Sequence, residues 1–356
     1  MNFQPPTSNF QKRRKDQYQT TNIKRAVFCC LSFVLGFCFY LDVGCWKFDV
    51  AAAQTTFDPL AVAVGARALG MGRACVAAAD DGDAIFCNPA ALGEMDTFKF
   101  SSMSGNLLED VHYLALGGVY PLGQRSAFGF GYAGAFVPGI DLRSASNTFL
   151  GQANFGDSVA LASYGRKLSD STSAGLSLKY YMIDGSEIDS GDGKGWNLDV
   201  GLMQKGNDWL SLALVGQNIL GTNNISYQNG ETEPFSSQVK AGADMHLFGS
   251  SFTAAFPSPV EVALLVDLAF DLKQAGSFQP QAGLEISPNP SFSIRAGVDR
   301  GQPTAGISLR YAGLGFHYAY HSFGDFNDNA GHFFSLTFDE RGWPSDEPPD
   351  SNIACR

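Results

Sequence analysis

The sequence predicts an all-β fold, an antiparallel transmembrane β-barrel of about fourteen strands. Short segments between about residues 98 and 338 alternate apolar residues with polar or small ones. A period of two residues indicates β-strands, because successive side chains point to opposite faces of a sheet. The polar face also carries charges of both signs. This combination is typical of a barrel that is apolar toward lipid and polar toward its lumen.

The segment 195–204 shows the alternation most simply. One face is formed by Trp196, Leu198, Val200 and Leu202. The opposite face contains Asp199, and the segments 259–271 and 290–299 repeat the pattern. With boundaries uncertain by a few residues, the predicted strands are 97–104, 112–121, 125–136, 156–167, 171–183, 195–204, 209–218, 236–247, 259–271, 278–286, 290–299, 303–311, 313–321 and 331–339.

The connections between the early strands alternate in length. The short ones are 121–125, 168–171 and 205–208, and the long ones are 137–155, 184–194 and 219–234. Outer-membrane barrels show this asymmetry, with tight periplasmic turns and longer external loops. An even number of strands places both ends of the barrel in the periplasm. Residues 247–258 are long for a connection that should be short.

The predicted lumen face is rich in charge. Its ionisable residues are Lys179, Asp199, Lys240, Glu261, Asp267, Glu285, Arg295, Asp299 and Arg310. Because lone buried charges are costly, the lumen must contain water or the charges must be paired. Two interpretations stay open: a packed ion-pair network that closes the barrel, or a polar lining around a conduit.

The N-terminal residues 1–53 have the pattern of a signal peptide. A basic stretch precedes the apolar core 26–41, and small residues at 51–53 offer a cleavage site. The alternative is an uncleaved membrane anchor. Residues 1–53 hold 7 of the 24 basic and 3 of the 35 acidic residues, so the remainder carries 17 and 32, a net charge of −15. Such a charge argues against nucleic-acid binding, which needs a basic surface.

Few residues suggest chemistry. In an oxidising compartment Cys75 and Cys87 can form a disulfide, and the alternative is two free small residues. The cysteines lack zinc spacing. The run 325–329 resembles the start of a calcium loop, but Ala330 and Leu336 replace the required Gly and Glu. There is no Gly-x-Ser-x-Gly motif. We expect no metal, no cofactor and no enzymatic activity.

Residues 65–92 carry a family resemblance. They read GARALGMGRACVAAADDGDAIFCNPAAL, which resembles the N-terminal motif of outer-membrane proteins related to the FadL-type long-chain fatty acid transporters. The similarity is closest to the branch that includes the PorV/PorQ-like and UPF0164 proteins. Arg73 and Cys87 depart from that pattern, which usually has a small residue and an aromatic one at these positions.

The resemblance implies that residues 54–95 form a plug, or hatch, inside the barrel formed by residues 96–339, with a polar tail at 340–356. Residues 54–95 are indeed too polar to face lipid and too short for a separate domain. The hatch and gating residues that it implies are Gly65, Arg67, Gly72, Asp80, Asp81, Asn88, Pro89 and Ala90. A structural turn without a gating role is the alternative for the Asn-Pro-Ala segment.

The implied function is passive transport of hydrophobic small molecules, such as long-chain fatty acids, across the bacterial outer membrane. The alternative is a PorV-like accessory protein of a secretion system that binds exported proteins. The expected partners are therefore outer-membrane lipid, a hydrophobic small molecule and, under the alternative, secreted proteins.

Overall fold

A computed structural model describes residues 58–62, 64–78, 81–108, 111–185, 191–207, 209–220, 224–249, 255–272, 278–322 and 330–341. The predicted signal peptide at 1–53, Asp80, the run 325–329 and most of the predicted tail lie outside these described residues.

Fourteen antiparallel strands form a closed barrel, which confirms the predicted fold class. Each strand pairs with its neighbours in sequence, and the first pairs with the last, with Lys99 opposite Asp339. The strands are β1 Lys99–Leu108, β2 Val111–Pro121, β3 Ser126–Arg143, β4 Phe149–Lys167, β5 Thr172–Asp184, β6 Gly193–Asn207, β7 Leu210–Gln217, β8 Gln238–Gly249, β9 Glu261–Asp271, β10 Phe278–Asn289, β11 Phe292–Asp299, β12 Gln302–Tyr311, β13 Leu314–Ser322 and β14 Ala330–Asp339.

The outer surface of the barrel is apolar and its inner surface is polar. On β12, for example, Ile307 and Leu309 are exposed. Thr304 and Ser308, which point to the opposite face of the same strand, are buried. A water-soluble protein buries the opposite set and rarely exposes contiguous apolar patches beyond a few hundred Å². Among the described residues, no helix is long and apolar enough to cross a membrane.

The prediction of a long loop at 137–155 is wrong. β3 and β4 continue to pair through this region and leave only residues 144–148 as the turn. The register shifts between Val137 and Ile140, and Gly139 has a φ of 67°. This irregularity breaks the alternation on which the sequence prediction depends, so the continuation of both strands was hidden.

Three short strands lie in the connections. Asn224–Tyr227 and Thr232–Pro234 form a hairpin between β7 and β8, and Phe256–Pro257 pairs in parallel with the end of β8. The strand Phe256–Pro257 thus lies within the unexpectedly long connection 247–258, of which residues 250–254 are outside the described residues.

The N-terminal segment, defined here as the described residues between 58 and 95, forms four short helices and is largely buried. The helices are Pro59–Val62, Ala66–Gly70, Ala84–Cys87 and Pro89–Glu94. The segment contacts the inward side of strands around the ring, from β2 and β3 through β6 and β8 to β12 and β14. Its burial therefore depends on the barrel.

Candidate functional site

The N-terminal segment and the barrel are in close backbone contact at Gly72. Its φ is 64°, and its amide donates a hydrogen bond of 3.0 Å to Thr304 Oγ1. A Cβ on Gly72 would lie 2.5 Å from the carbonyl oxygens of both Ala282 and Val298. A Cβ added to Gly297 would in turn lie 2.3 Å from the Gly72 nitrogen. Two backbones touch here, and only glycine allows that approach.

A cluster of arginines surrounds Glu285 in the lumen. Arg67 of the N-terminal segment lies 3.2 Å from the Glu285 carboxylate, Arg310 lies 4.0 Å away, and Arg295 is in direct contact. Arg67 also approaches Asp81 at 3.9 Å. Because these groups are at most about a tenth exposed, the pairing offsets a large desolvation cost. We call this set the Glu285 cluster.

A second cluster is centred on Asp299. Its carboxylate accepts hydrogen bonds from Arg73 at 3.1 Å and Gln281 at 3.1 Å, and it contacts His321 Nε2 at 3.1 Å. Arg73 has a backbone φ of 67°, which residues other than glycine rarely adopt. The ion pair with Asp299 therefore holds the chain at Arg73 in an unfavourable conformation.

Single acidic side chains fix other parts of the N-terminal segment. Asp267 Oδ2 accepts hydrogen bonds from the amides of Cys75 at 2.7 Å and Val76 at 2.9 Å. At the other end of the segment, Glu94 pairs with Lys167 at 3.0 Å and Lys205 at 2.7 Å. Burial opposes ionisation of Glu94, but hydrogen bonds from Lys205, Ser173 and Lys167 hold its pKa below the usual value.

The Asn-Pro-Ala segment forms an internal turn. Asn88 is fully buried, donates to the carbonyl of Val76 at 2.9 Å and accepts from the amide of Ala90 at 3.0 Å. Pro89 starts the helix Pro89–Glu94. The disulfide between Cys75 and Cys87 joins the same two stretches of chain. Asn88 and the disulfide thus both cross-link residues 75–76 to residues 87–88.

The structure buries most of the predicted lumen charges. Lys179, Asp199, Asp267, Glu285, Arg295 and Asp299 are buried, and Lys240 and Arg310 are partly buried. Glu261, at the first position of β9, is exposed. Sequence reasoning did not identify Glu94, although an acidic side chain directly after the motif was a signal that a cationic partner should lie nearby. Among the described residues, no cluster of His, Cys, Asp or Glu is arranged to hold a metal ion.

Asp83 is a buried carboxyl beside Gly65, whose φ is 97°. A Cβ on Gly65 would lie 2.1 Å from Asp83 Oδ2. That oxygen has no hydrogen-bond partner among the described residues. Burial, reinforced by the charge of Asp81, raises the pKa of Asp83 to about 7.

We expect Asp83 to lower stability as pH rises. The folded protein keeps the Asp83 proton up to about pH 7, whereas the unfolded chain loses it near pH 4, so stability should fall across that window. Asp83→Asn should remove this contribution and raise the free energy of unfolding by at least about 1 kcal/mol at about pH 8, with little gain at about pH 4. Urea unfolding in detergent across this range measures it. Glu261→Gln, at an exposed site, is the control, and a gain independent of pH would contradict the assignment.

A small cavity of about 30 Å³ lies beside the disulfide. It is lined by Arg67, Ala68, Met71, Ala74, Cys75, Ala78, Asp81, Asp83, Ala84, Cys87 and Leu265. An apolar cavity that binds benzene measures about 150 Å³. This cavity therefore has room for little more than a water molecule.

The chain resembles solved structures, although no family model and no curated protein matches it. Among solved structures, the P. putida toluene transporter TodX aligns with a TM-score of 0.55 and 12% identity, covering 78% of this chain and 98% of TodX. The Ralstonia pickettii toluene transporter TbuX gives 0.52 and 14%, covering 78% and 98%. The chain has the fold of these channels.

A third solved structure agrees. The monoaromatic hydrocarbon channel CymD aligns with a TM-score of 0.51 and 12% identity, covering 80% of this chain and 98% of CymD. The three structures share the barrel fold of this chain, whereas the FadL-type family and its PorV/PorQ-like branch stay predictions.

Proposed function

We propose that the protein is a passive channel of the bacterial outer membrane for hydrophobic small molecules. The observation that carries this proposal is the barrel fold shared with TodX and TbuX, two transporters of toluene. The exposed apolar residues on the outward faces of the strands provide the surface that such a barrel needs in lipid. The predicted signal peptide would direct the export that this location requires.

The N-terminal segment would act as the plug of this channel. It contacts inward-facing groups around the barrel, from Gly117 on β2 to Gly306 on β12. Passage of a hydrocarbon through the barrel would therefore require part of the segment to move. The contacts that hold it are the pairs Arg67–Glu285 and Arg73–Asp299 and the hydrogen bonds to Asp267. Gly65, Asp81, Asn88, Pro89 and Ala90 would keep the plug in one shape.

Long-chain fatty acids are a narrower candidate within the same class. The Glu285 cluster brings three arginines, Arg67, Arg295 and Arg310, within 4.0 Å of one carboxylate. These arginines are the groups that would bind a ligand carboxylate in exchange for Glu285, because Arg binds that group with matched geometry. Neutral hydrocarbons gain nothing from these arginines, so the two ligand types can be separated by experiment.

Uptake by whole cells tests the proposed function. The protein is expressed in a Gram-negative host that lacks its own hydrocarbon channels, and uptake of labelled toluene and labelled palmitate is compared. We expect faster uptake of at least one probe than in cells expressing an unrelated barrel at equal level. Faster palmitate uptake that disappears in Arg67→Ala would support the fatty-acid candidate. If every hydrophobic probe enters these cells no faster than it enters the control cells, the channel proposal is contradicted.

A secretion accessory remains the second candidate, favoured by the motif at residues 65–92. Under this proposal, deletion of the gene in its source bacterium would leave hydrocarbon uptake unchanged. Specific exported proteins would instead disappear from the culture medium. Comparing the secreted proteins of the two strains measures this outcome, and identical secreted proteins would contradict it.

A further inference from the structure

The connection between β7 and β8 folds over one end of the barrel and buries two of its apolar side chains. Ile225 and Phe235 are both 0% exposed, although they belong to a connection rather than to a barrel strand. Its hairpin pairs with β6 at Gly193–Tyr227 and Lys194–Ser226, and the amide of Gln228 donates to the carbonyl of Asp192 at 3.0 Å. Displacement of the Phe235 ring therefore means rotation of its side chain while the connection stays in place.

The ring of Phe235 packs against the aromatic ring of Tyr181. Its centroid lies 4.1 Å from that of the Tyr181 ring on β5, at an interplanar angle of 39°. On another side the ring lies against the backbone of β6, since a Cβ on Gly195 would be 3.3 Å from Phe235 Cε2. We call the space occupied by this ring, between Tyr181 and Gly195, the ring site.

The ring site is held in shape by hydrogen bonds that do not involve the Phe235 side chain. The Tyr181 hydroxyl donates to Asp58 Oδ2 at 3.1 Å and approaches Asn218 Oδ1 at 3.2 Å. Asn218 in turn donates to the carbonyl of Ser236 at 3.2 Å. Tyr181 is itself fully buried. Its ring should therefore stay in place when the Phe235 ring leaves.

We propose that the ring site is a binding site for a monoaromatic hydrocarbon, which enters by displacing the side chain of Phe235. The side chain of phenylalanine is a benzyl group, the same size and chemistry as toluene. A site that encloses this group against a tyrosine ring and a glycine backbone accepts a free ring of the same shape. This inference rests on the proposed channel function and assigns it a ligand class and an entry step.

The aromatic contact makes the site selective for flat rings. Stacked and tilted aromatic pairs gain energy beyond the burial of area, whereas a saturated ring of similar volume does not. The ring site should thus prefer toluene to methylcyclohexane. Wild-type protein binds toluene weakly, because binding must first remove Phe235, and truncation of that side chain should remove this cost.

The test is a fluorine NMR titration of the full protein in detergent with 4-fluorotoluene. We expect Phe235→Ala to bind this probe at least about tenfold more tightly than wild type. Toluene should compete with the probe, and methylcyclohexane should compete at least about tenfold more weakly. The control is Phe278→Ala, which truncates one ring of the Phe270–Phe278 pair on the exposed outer face and should bind as wild type does.

Equal affinity of Phe235→Ala and wild type would overturn the proposal, and so would equal competition by methylcyclohexane. A shift in mobility between unboiled and boiled samples verifies that each variant folds. Should Phe235→Ala fail this check, Phe235→Leu replaces it, with affinity expected between those of wild type and the alanine prediction. Uptake separates the two proposals: ring-site binding without uptake contradicts only the channel, and uptake with no effect of Phe235 contradicts only the ring site.

Discussion

Gly72→Val is expected to displace the N-terminal segment and open the barrel. The new Cβ would lie 2.5 Å from the carbonyl oxygens of Ala282 and Val298. Both oxygens belong to paired strands, β10 and β11, so the barrel cannot move aside easily. The φ of 64° is also unfavourable for a β-branched residue. Overpacking costs about 1–3 kcal/mol and the left-handed backbone about 1–2 kcal/mol.

The Gly72→Val barrel should conduct ions more than the wild type does. The substitution destabilises the closed state by about 2–5 kcal/mol, and this penalty raises the population of the open state at least about tenfold. Single-channel recording in a planar bilayer measures the change, and a mobility shift on heating verifies that the barrel is intact. Gly123→Val is the matched control, because Gly123 also has a positive φ, of 94°, yet has nothing within 4 Å of its Cβ position. A Gly72→Val barrel that is intact and conducts no more than this control would contradict the plug.

Glu285→Gln is expected to destabilise the protein by about 3–5 kcal/mol, because it removes the carboxylate that Arg67, Arg295 and Arg310 share. The measurement is the free energy of unfolding in urea from lipid vesicles. It also separates the two interpretations of the lumen charges. A packed ion-pair network predicts the full loss, whereas a water-filled conduit would screen the arginines and reduce the loss below about 1 kcal/mol.

Asp170→Asn provides the control for this comparison. Asp170 pairs with Arg125 at 3.1 Å, but the two side chains are 95% and 61% exposed. Exposed pairs contribute about 1 kcal/mol or less. We expect almost no change in the free energy of unfolding for this variant. A loss for Glu285→Gln no larger than that for Asp170→Asn would contradict the packed network.

The sequence predicted the barrel well because one physical constraint repeats along it. Each spanning strand must present apolar residues to lipid, so the alternation recurs in every strand and the number of strands could be counted. The prediction was wrong at 137–155, where β3 and β4 leave regular alternation at a register shift. Beyond the lipid no apolar face is required, so the pattern no longer marks the strand.

The lumen was predictable only in part. Inward-facing charges such as Asp267 and Arg295 follow from the period of two. Arg295 pairs with Glu285 across two neighbouring strands. The partners of Asp267 do not follow from the strand pattern, because they depend on the path of the N-terminal segment. Glu94 and Phe235 lie outside the strand pattern altogether, and only the folded chain brings Glu94 to Lys167 and Phe235 to Tyr181.

The pairing of β1 with β14 has a consequence for how the chain folds. The hydrogen bond between Thr97 and Asp339 spans 242 residues. Bringing two such distant points together costs about 5 kcal/mol of chain entropy by the usual logarithmic dependence on length. No partial chain can make this contact, so the cylinder can close only after synthesis of the last strand is complete. Until then both edge strands stay open to pairing with other chains, and the cell must keep the emerging polypeptide from aggregating.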